Sequence, residues 1–285
     1  MALNFRMMTD YKYFTSVLIA LLVLTGCSKN IESNLPDYEQ VLVLNSVFNP
    51  DSLFSVDLST NRPISSNAPF APIVNASVLL YRDGTYLTDL THSKNGVYQA
   101  SVMPESLKKY EIRVKAPGFD DISAHSTVPA RPLISDIKIS QFQPDGSAPA
   151  TLMSFTLSDP PAEENFYSVQ AYTFEKDFRG NIFQRPLSIK IISAIEEDYF
   201  RNGLLFFRDK LFNGKALDLK FNLSNVIPKN AYFRIAQVSP EYYLYGKTYD
   251  MHRQTDFNIG QHPVSNNIEN GLGVFAGYNA VTIRP

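Results

Sequence analysis

The residue with the clearest chemistry in this sequence is Cys27, the only cysteine of the chain. Its thiol follows the small residues Thr25 and Gly26, at the end of an apolar run over residues 13–24, and Arg6 and Lys12 precede that run. A basic lead, a short apolar run and small residues before a cleavage point are typical of a secretory signal peptide. The pattern predicts cleavage after residue 26 and lipid attachment to the Cys27 sulfur.

The apolar run is too short for a membrane span. It has 12 residues, whereas a helix needs about 20 apolar residues to cross the hydrocarbon core. The four letters LTGC at 24–27 resemble a bacterial lipobox, which implies a diacylglycerol on the thiol and another acyl chain on the freed amine. Two or three chains hold a folded domain on a bilayer, while one chain does so only marginally. The alternative is an incidental cysteine in an ordinary signal peptide.

Carboxylates come next as candidates for chemistry. Glu163 and Glu164 are adjacent, and a trio of acids occupies residues 196–198. Paired carboxylates are the acid and base of glycosidases, but both groups fall at predicted strand ends, where a solvated turn is the ordinary explanation. The chain has no G-x-S-x-G elbow, which α/β-hydrolases require. We therefore predict no catalytic residue and a protein that is not an enzyme.

Metal and cofactor motifs are also missing from the sequence. Four histidines are present, none at metal-ligand spacing: His92, His125, His252 and His262. The glycines of Gly271-Leu272-Gly273 lack the Lys-Ser ending of a phosphate loop. Asp120 and Asp121 supply too few oxygens for calcium, which takes about 6 to 8. We predict no metal site and no cofactor.

The charge balance gives no electrostatic reason to bind nucleic acid. The chain holds 26 basic and 28 acidic residues, a formal net charge of −2. Loss of residues 1–26 removes Arg6, Lys12 and Asp10, which leaves a charge of −3. Nucleic-acid-binding domains are usually basic, so we predict no such partner. With Cys27 lipidated, no thiol remains for a disulfide, and stability must come from packed hydrophobic cores.

Four segments follow from these patterns. Residues 1–26 are the signal peptide, and residues 27–36 are a lipidated tether, polar and interrupted by Pro36. Residues 37–130 alternate between short strands and turn signals such as Asp83-Gly84 and Asn95-Gly96, which predicts an antiparallel sandwich. The predicted strands of this domain cover residues 40–48, 53–58, 76–81, 86–88, 97–100, 110–114 and 122–128.

Within this first domain, the order VNASVLLYRDG, NGVYQA and YEIRVKAPGF, over residues 72–120, resembles the prealbumin-like modules that also occur as carboxypeptidase regulatory domains. The resemblance implies an Ig-like antiparallel sandwich that serves as a spacer or docking surface. It says almost nothing about activity.

Residues 131–285 are predicted to form a second β-rich domain, a sandwich or barrel-like, with one short helix. Ser239 is a candidate N-cap, Pro240 suits the first helical position, and the helix would run to about Gln254. Tyr242, Tyr245 and Tyr249 would share one face, which we expect to pack on the sheet. The predicted strands cover residues 134–139, 152–157, 167–174, 189–195, 204–207, 217–223, 232–238, 274–275 and 280–283.

Four segments of this second domain resemble a family of uncharacterised two-domain lipoproteins from Bacteroidota. They are DPPAEENFYSV (159–169), FFRDKLFNGKALDL (206–219), SPEYYLYGKTYD (239–250) and NNIENGLGVFAGY (266–278). In the last segment we expect Gly271, Gly273 and Gly277 to make tight turns around Phe275. The resemblance implies outer-membrane attachment and partnership with TonB-dependent receptors. Asp51-Ser52-Leu53 resembles the short O-glycosylation acceptor of the same bacteria.

Taken together, the sequence predicts an outer-membrane-anchored, non-enzymatic lipoprotein that accompanies a TonB-dependent transporter. The alternative is a surface module that binds a glycan or a peptide, and a hydrolase is the third possibility. Exposed aromatic side chains around a cleft would favour the binding module. Residues 28–30 lack the acidic cluster typical of surface-exported lipoproteins, so the membrane face stays open.

Overall fold

The computed structural model of the chain describes residues 39–63, 66–143, 150–161, 163–193, 195, 197–201, 204–223, 231–254 and 262–284. The chain divides into Met1–Glu39 and a compact unit over Gln40–Pro285, and only the second is described below. The predicted signal peptide, Cys27 and the tether lie outside the described residues, so these expectations stay predictions.

The first part of the compact unit consists of short strands joined by tight turns. The strands are β1 (Leu42–Phe48), β2 (Ser55–Thr60), β3 (Ser77–Arg82), β4 (Thr85–Lys94), β5 (Val97–Gln99), β6 (Lys109–Lys115) and β7 (Ile122–Thr127). Asp83-Gly84 and Asn95-Gly96 both have positive φ angles (50° and 79°, 47° and 80°), as the hairpin turns preferred by these residue pairs require. Both predicted turns are confirmed.

The second part adds ten strands and one helix. They are β8 (Leu133–Phe142), β9 (Ala150–Ser158), β10 (Phe166–Lys176), β11 (Ile182–Pro186), β12 (Ile189–Ile191), β13 (Glu197–Arg201), β14 (Leu204–Arg208), β15 (Ala216–Leu223), β16 (Ala231–Val238), α1 (Pro240–Gln254) and β17 (Leu272–Ile283). The Tyr242 N–H donates to the Ser239 hydroxyl at 3.3 Å, which confirms the predicted N-cap. The mainly-β class with a short helix is confirmed.

Two open sheets carry these strands. The large sheet has the order β13-β14-β10-β16-β17-β1-β2-β5-β4-β3-β6-β7, with β11 also paired to β10, and the small one has the order β12-β15-β9-β8. The last strand, β17, lies antiparallel to β16 and parallel to β1. The large sheet is therefore mixed. Every pairing among β1 to β7 is antiparallel, which confirms the antiparallel sheet predicted for the first domain, and the parallel partner of β1 comes from the end of the chain.

Two main hydrophobic cores lie against the large sheet. The first is built by residues 42–128 together with Ile268 and Phe275 from the end of the chain. Phe275 packs on Phe48 at 4.7 Å between ring centroids, and both lie near Phe54. The second core lies between the two sheets, with residues such as Phe155 and Phe221 facing Val169 of the large sheet. The domain boundary at residue 130 stays a prediction.

Gly273 and Gly277 allow close contact between backbone segments and do not form turns. Gly273 has φ of 123°, and a Cβ there would lie 2.0 Å from the Leu44 carbonyl oxygen. A Cβ on Gly277 would lie 2.4 Å from the Thr127 carbonyl oxygen. Both glycines sit inside β17, so the predicted turns around Phe275 are wrong at these two positions. A side chain at either would push β17 away from its neighbour.

Candidate ligand-binding site

Strand β10 has two chemically different faces. Side chains alternate along a strand, so Tyr167, Val169 and Ala171 enter the second core. The alternate residues, which include Ser168 and Gln170, lie on the opposite face of the large sheet. We call this opposite face, continued by β14, β16 and β17, the outer face.

Helix α1 covers one end of the outer face. Tyr243 is buried and its ring lies 4.6 Å from Phe166. The Tyr242 ring lies 5.5 Å from Phe206 and 6.0 Å from Tyr278. Of the three tyrosines predicted to pack on the sheet, Tyr242 therefore does so.

The other two predicted tyrosines contact each other. Tyr245 and Tyr249 are half-buried, with ring centroids 5.9 Å apart. Tyr243 is buried against the sheet, although the sequence spacing did not predict it among the packing tyrosines. A helix that crosses twisted strands places different side chains against each strand. Sequence spacing alone therefore does not determine which side chain of the helix is most buried.

A cleft of about 280 Å³ opens on the outer face beside the helix. We call it the outer cleft. Its floor comes from the strands and its walls come from α1, β1 and β11. It is lined by Val47, Ser168, Gln170, Gln184, Leu204, Arg234, Ala236, Tyr242 and Tyr278.

The polar side chains of the outer cleft have spare hydrogen-bonding capacity. Among the described residues, Ser168, Gln170 and Gln184 have no side-chain hydrogen-bond partner. Arg234 donates from one Nη to the Tyr172 hydroxyl at 3.3 Å. Polar groups in a concave site that are not paired within the protein can instead pair with a ligand.

The guanidinium of Arg234 is the main charge in the outer cleft. It lies 5.0 Å from the centroid of the Tyr172 ring, and it forms no ion pair with any described carboxylate. Burial raises the pKa of the nearby Tyr278 hydroxyl, an effect that the positive charge of Arg234 opposes. The phenol of Tyr278 is therefore neutral at ordinary pH, and the cleft offers a cation beside two tyrosine rings.

An aromatic cluster continues the outer face beyond Arg234. Tyr172 and Tyr232 are cross-strand partners whose rings stack at 5.5 Å and 13°. Phe174, which is 44% exposed, meets both rings edge-on. Arg284 lies 5.5 Å from the Tyr232 ring centroid. The cleft therefore opens onto an aromatic surface that carries a second cation.

The hairpin of β10 and β11 forms one side of this surface. The Asp177 carboxylate accepts hydrogen bonds from the Arg179 and Asn181 backbone N–H groups at 2.8 and 2.9 Å. These bonds fix the turn and lower the pKa of Asp177, with the Asn181 side chain as the largest cause. Phe178 at the tip is 91% exposed, and Ile182 is 67% exposed. An ordered turn thus displays apolar side chains to solvent.

The acidic candidates for catalysis are not gathered in the outer cleft. Glu163 and Glu164 lie on the exposed loop before β10 and line a groove of about 540 Å³. Glu164 is paired with Arg208 at 3.3 Å, and the Glu163 carbonyl accepts from the side chains of Asn165 and Asn213. Glu196 and the side chains of Glu197 and Asp198 lie outside the described residues.

A buried polar network holds the loop that carries these glutamates. Tyr167 donates to the Asp159 carboxylate at 2.5 Å, and Asp159 also accepts from the Gly214 N–H at 2.7 Å. The Asp209 carboxylate accepts from the Asn165 N–H at 2.8 Å. Burial raises the pKa of both Tyr167 and Asp209. The network ties two loops together, which accounts for its burial without a ligand.

One oxygen of this network is unpaired among the described residues. Asp209 is fully buried, and its Oδ1 has no hydrogen-bond partner there. An unsatisfied buried carboxylate oxygen costs free energy. This cost acts in the same direction as burial, which raises the pKa of Asp209.

The four histidines have ordinary structural surroundings. The Gly96 N–H donates to His92 at 3.4 Å, and His125 lies exposed on β7. His252 Nδ1 donates to the carbonyl oxygen of His262 at 2.7 Å. Within the described ranges, no three His, Cys, Asp or Glu residues form a group that could hold a metal ion.

Two further candidates have ordinary structural surroundings. Asp121 pairs with Lys115 at 2.5 Å, so its carboxylate is already engaged, and it sits beside the exposed Asp120. Ser52 lies exposed in the turn between β1 and β2, where its hydroxyl accepts from the Asn49 side chain at 3.1 Å. Glycosylation of Ser52 stays a prediction.

No sequence motif marked the outer cleft. Its lining residues run from Val47 to Tyr278 and come from seven separate elements. The one available signal is Arg234 in a strand whose neighbours are otherwise apolar and aromatic. In the part of the chain that is described, no helix has the length and apolar character needed to cross a bilayer.

Comparison with curated proteins yields no match. Among solved structures, a DUF4785 family protein from Legionella pneumophila is similar at 12% sequence identity, with a TM-score of 0.25, over 70% of this chain and 51% of that one. The chain thus spans about half the length of that protein, and a likeness of this extent carries no argument about function. The family model described as Domain of unknown function (DUF4249) matches residues 28–284. The chain therefore belongs to this family of unknown function.

Proposed function

We propose that this protein is a lipid-anchored, non-enzymatic binding protein of the cell envelope, which holds a small ligand in the outer cleft and serves a TonB-dependent transporter of the outer membrane. The observation that carries the proposal is the outer cleft itself. There, Arg234, Gln170 and Gln184 face a cavity with unused hydrogen-bonding groups.

The shape and composition of the outer face favour binding over a purely structural role. This face combines tyrosine rings, amides and a guanidinium around a concavity. Ligand sites are typically concave surfaces with a few convergent polar groups. The exposed Phe174 and Phe178 beside the cleft add apolar area for a larger ligand or a partner.

The non-enzymatic part of the proposal is supported by the positions of the carboxylates. Glu164 is exposed and paired with Arg208, while Asp159 and Asp209 are buried and hydrogen-bonded to loop groups. A general acid or base must reach the substrate. In the described part of the outer cleft, the lining includes no carboxylate.

The anchor and the transporter partner are supported by the sequence. Cys27 follows a signal-peptide pattern, and the family resemblance implies TonB-dependent receptors as partners. Because a lipid anchor confines the protein to the plane of a bilayer, it raises the local concentration of the protein at a membrane transporter.

The experiment is a purification of the tagged full-length protein from membranes in mild detergent, with Cys27→Ala as the matched variant. We expect intact-mass analysis of the wild type to show an acylated Cys27 at the amino terminus, and co-purification of an outer-membrane transporter. The Cys27→Ala protein should leave the membrane fraction. An unmodified thiol, or no transporter across growth conditions, would contradict the proposal.

A further inference from the structure

We propose that the outer cleft binds its ligand through a carboxylate, with the Arg234 guanidinium as the anion contact. The inference rests on the proposed function, because it names the ligand class for the same cleft. Two sources could supply this chemistry: a short saccharide that contains a uronic acid, and the carboxyl terminus of a short peptide.

Arg234 differs from four other strand arginines in its electrostatic state. Strand residues Arg82, Arg113, Arg185 and Arg208 each pair with a glutamate. Arg234 differs, because within the described residues its guanidinium contacts a tyrosine ring and hydroxyl but no carboxylate. A half-buried cation loses hydration, and that loss is offset when an anion arrives.

Neighbouring residues already orient the Arg234 side chain. It lies in the central strand β16, in register with Gln170 of β10 and Thr282 of β17. The Tyr172 hydroxyl accepts one of its N–H groups at 3.3 Å. A guanidinium has five N–H donors, so a fork of donors remains for the two oxygens of a carboxylate, the geometry in which arginine binds best.

Other lining residues of the outer cleft offer contacts for the rest of the ligand. The amides of Gln170 and Gln184 and the hydroxyl of Ser168 offer donors and acceptors, and Tyr242 and Tyr278 offer ring surface. Sugars and peptides both carry hydroxyl or amide groups next to apolar faces. The volume of about 280 Å³ lies at the small end of ligand sites, which suits one or two sugar or amino-acid units.

The test is titration calorimetry on the full-length lipidated protein in detergent. The probes are digalacturonate, its dimethyl ester, the dipeptide Ala-Tyr and its carboxyl-terminal amide. We expect at least one of the two carboxylate probes to bind at least 10-fold more tightly than its neutral counterpart, and the stronger of the two identifies the source. Arg234→Gln should weaken that probe by about 10- to 100-fold, as expected for loss of a charged hydrogen-bonded contact.

The matched control is Arg113→Gln. Arg113 also lies over a tyrosine ring on a strand, at 4.3 Å from the Tyr81 centroid, but it is paired with Glu111. Its loss should leave the affinity unchanged. Gln184→Ala, on the exposed strand β11, provides a second cleft variant if Arg234→Gln does not fold, and it should weaken the carboxylate probe by about 3- to 10-fold.

Three results would overturn the inference. They are no binding of either carboxylate probe, equal binding of the charged and neutral probes, and an affinity that Arg234→Gln and Gln184→Ala leave unchanged. If charged and neutral probes bind equally and both cleft variants weaken them, the carboxylate as the recognised group is rejected. The cleft is then still a binding site. The anchoring and transporter parts of the proposed function are tested separately by the membrane purification.

Discussion

Two arginines on strand faces show how the two regions of the molecule differ. Arg113 in β6 lies over Tyr81, and its charge is neutralised by Glu111 at 2.6 Å. Arg234 in β16 lies over Tyr172 in a similar way, with no carboxylate partner among the described residues. The local arrangement is thus alike, while the electrostatic state is not.

This difference between the two arginines indicates which region of the molecule binds a ligand. In the first region, Arg82 of β3 pairs with Glu105, and Arg113 and Lys115 of β6 pair with Glu111 and Asp121. In the second region, the side chains of Ser168, Gln170 and Gln184 in the outer cleft have no hydrogen-bond partner among the described residues. We infer that the first region supports the fold and that the second carries the ligand.

The largest effect that we expect comes from Phe275→Ala. Phe275 belongs to the first core and contacts Phe48 and Phe54. Its truncation should lower the free energy of unfolding by about 3–5 kcal/mol, the usual cost of a buried Phe→Ala change. Urea unfolding followed by tyrosine fluorescence measures this. Below the unfolding transition, affinity for a cleft ligand should stay unchanged, and a loss of affinity without unfolding would contradict the division of roles.

Asp209→Asn tests how a buried carboxyl group of the second region makes the stability of the protein depend on pH. Burial raises the pKa of Asp209 in the folded protein, so the folded form keeps a proton that the unfolded chain releases. The wild type should therefore lose stability as pH rises from the unfolded pKa, about 3.9, through the folded pKa. Thermal midpoints measured between pH 4 and pH 8 should show this loss, and the variant should flatten it. An unchanged slope in Asp209→Asn would assign the pH dependence to other groups.

Ser239→Ala weakens the end of the helix that forms one wall of the outer cleft. The Ser239 hydroxyl accepts from the Tyr242 N–H, and loss of such a cap costs about 1 kcal/mol. We expect chemical denaturation to show that decrease, together with a small loss of ligand affinity. Stability equal to the wild type would mean that the cap contributes nothing here.

The smallest effect should come from Phe178→Ser. The side chain is 91% exposed, so its removal costs little packing, and the free energy of unfolding should change by less than about 0.5 kcal/mol. Differential scanning calorimetry provides the measurement. A larger destabilisation would show that the hairpin tip packs on the protein, in conflict with its role as a displayed surface.

The sequence predicted the local elements better than their assembly. Alternation placed strands such as β6, and the Ser239-Pro240 signal placed α1, because both depend on neighbouring residues. Strand β11 was missed, since all five of its residues are exposed and show no alternation. The parallel pairing of β17 with β1 was also missed, because it joins residues more than two hundred positions apart.

The candidate site was predictable only in part. The sequence left open a surface binding module with aromatic side chains, but it gave no reason to group Val47 with Arg234 and Tyr278. Those residues meet because β17 returns to β1 and brings the outer faces together. Side-chain pairing is likewise invisible in the sequence: Glu111 neutralises Arg113 from two positions away, whereas the partner of Arg234 is a tyrosine 62 positions distant.

The most direct test of the central claim is a crystal structure of the protein soaked with the carboxylate probe that binds best. We expect electron density in the outer cleft, with the probe's carboxylate oxygens at about 2.7–2.9 Å from the guanidinium nitrogens of Arg234. A probe bound on the first region, or in the groove beside Glu164, would contradict it.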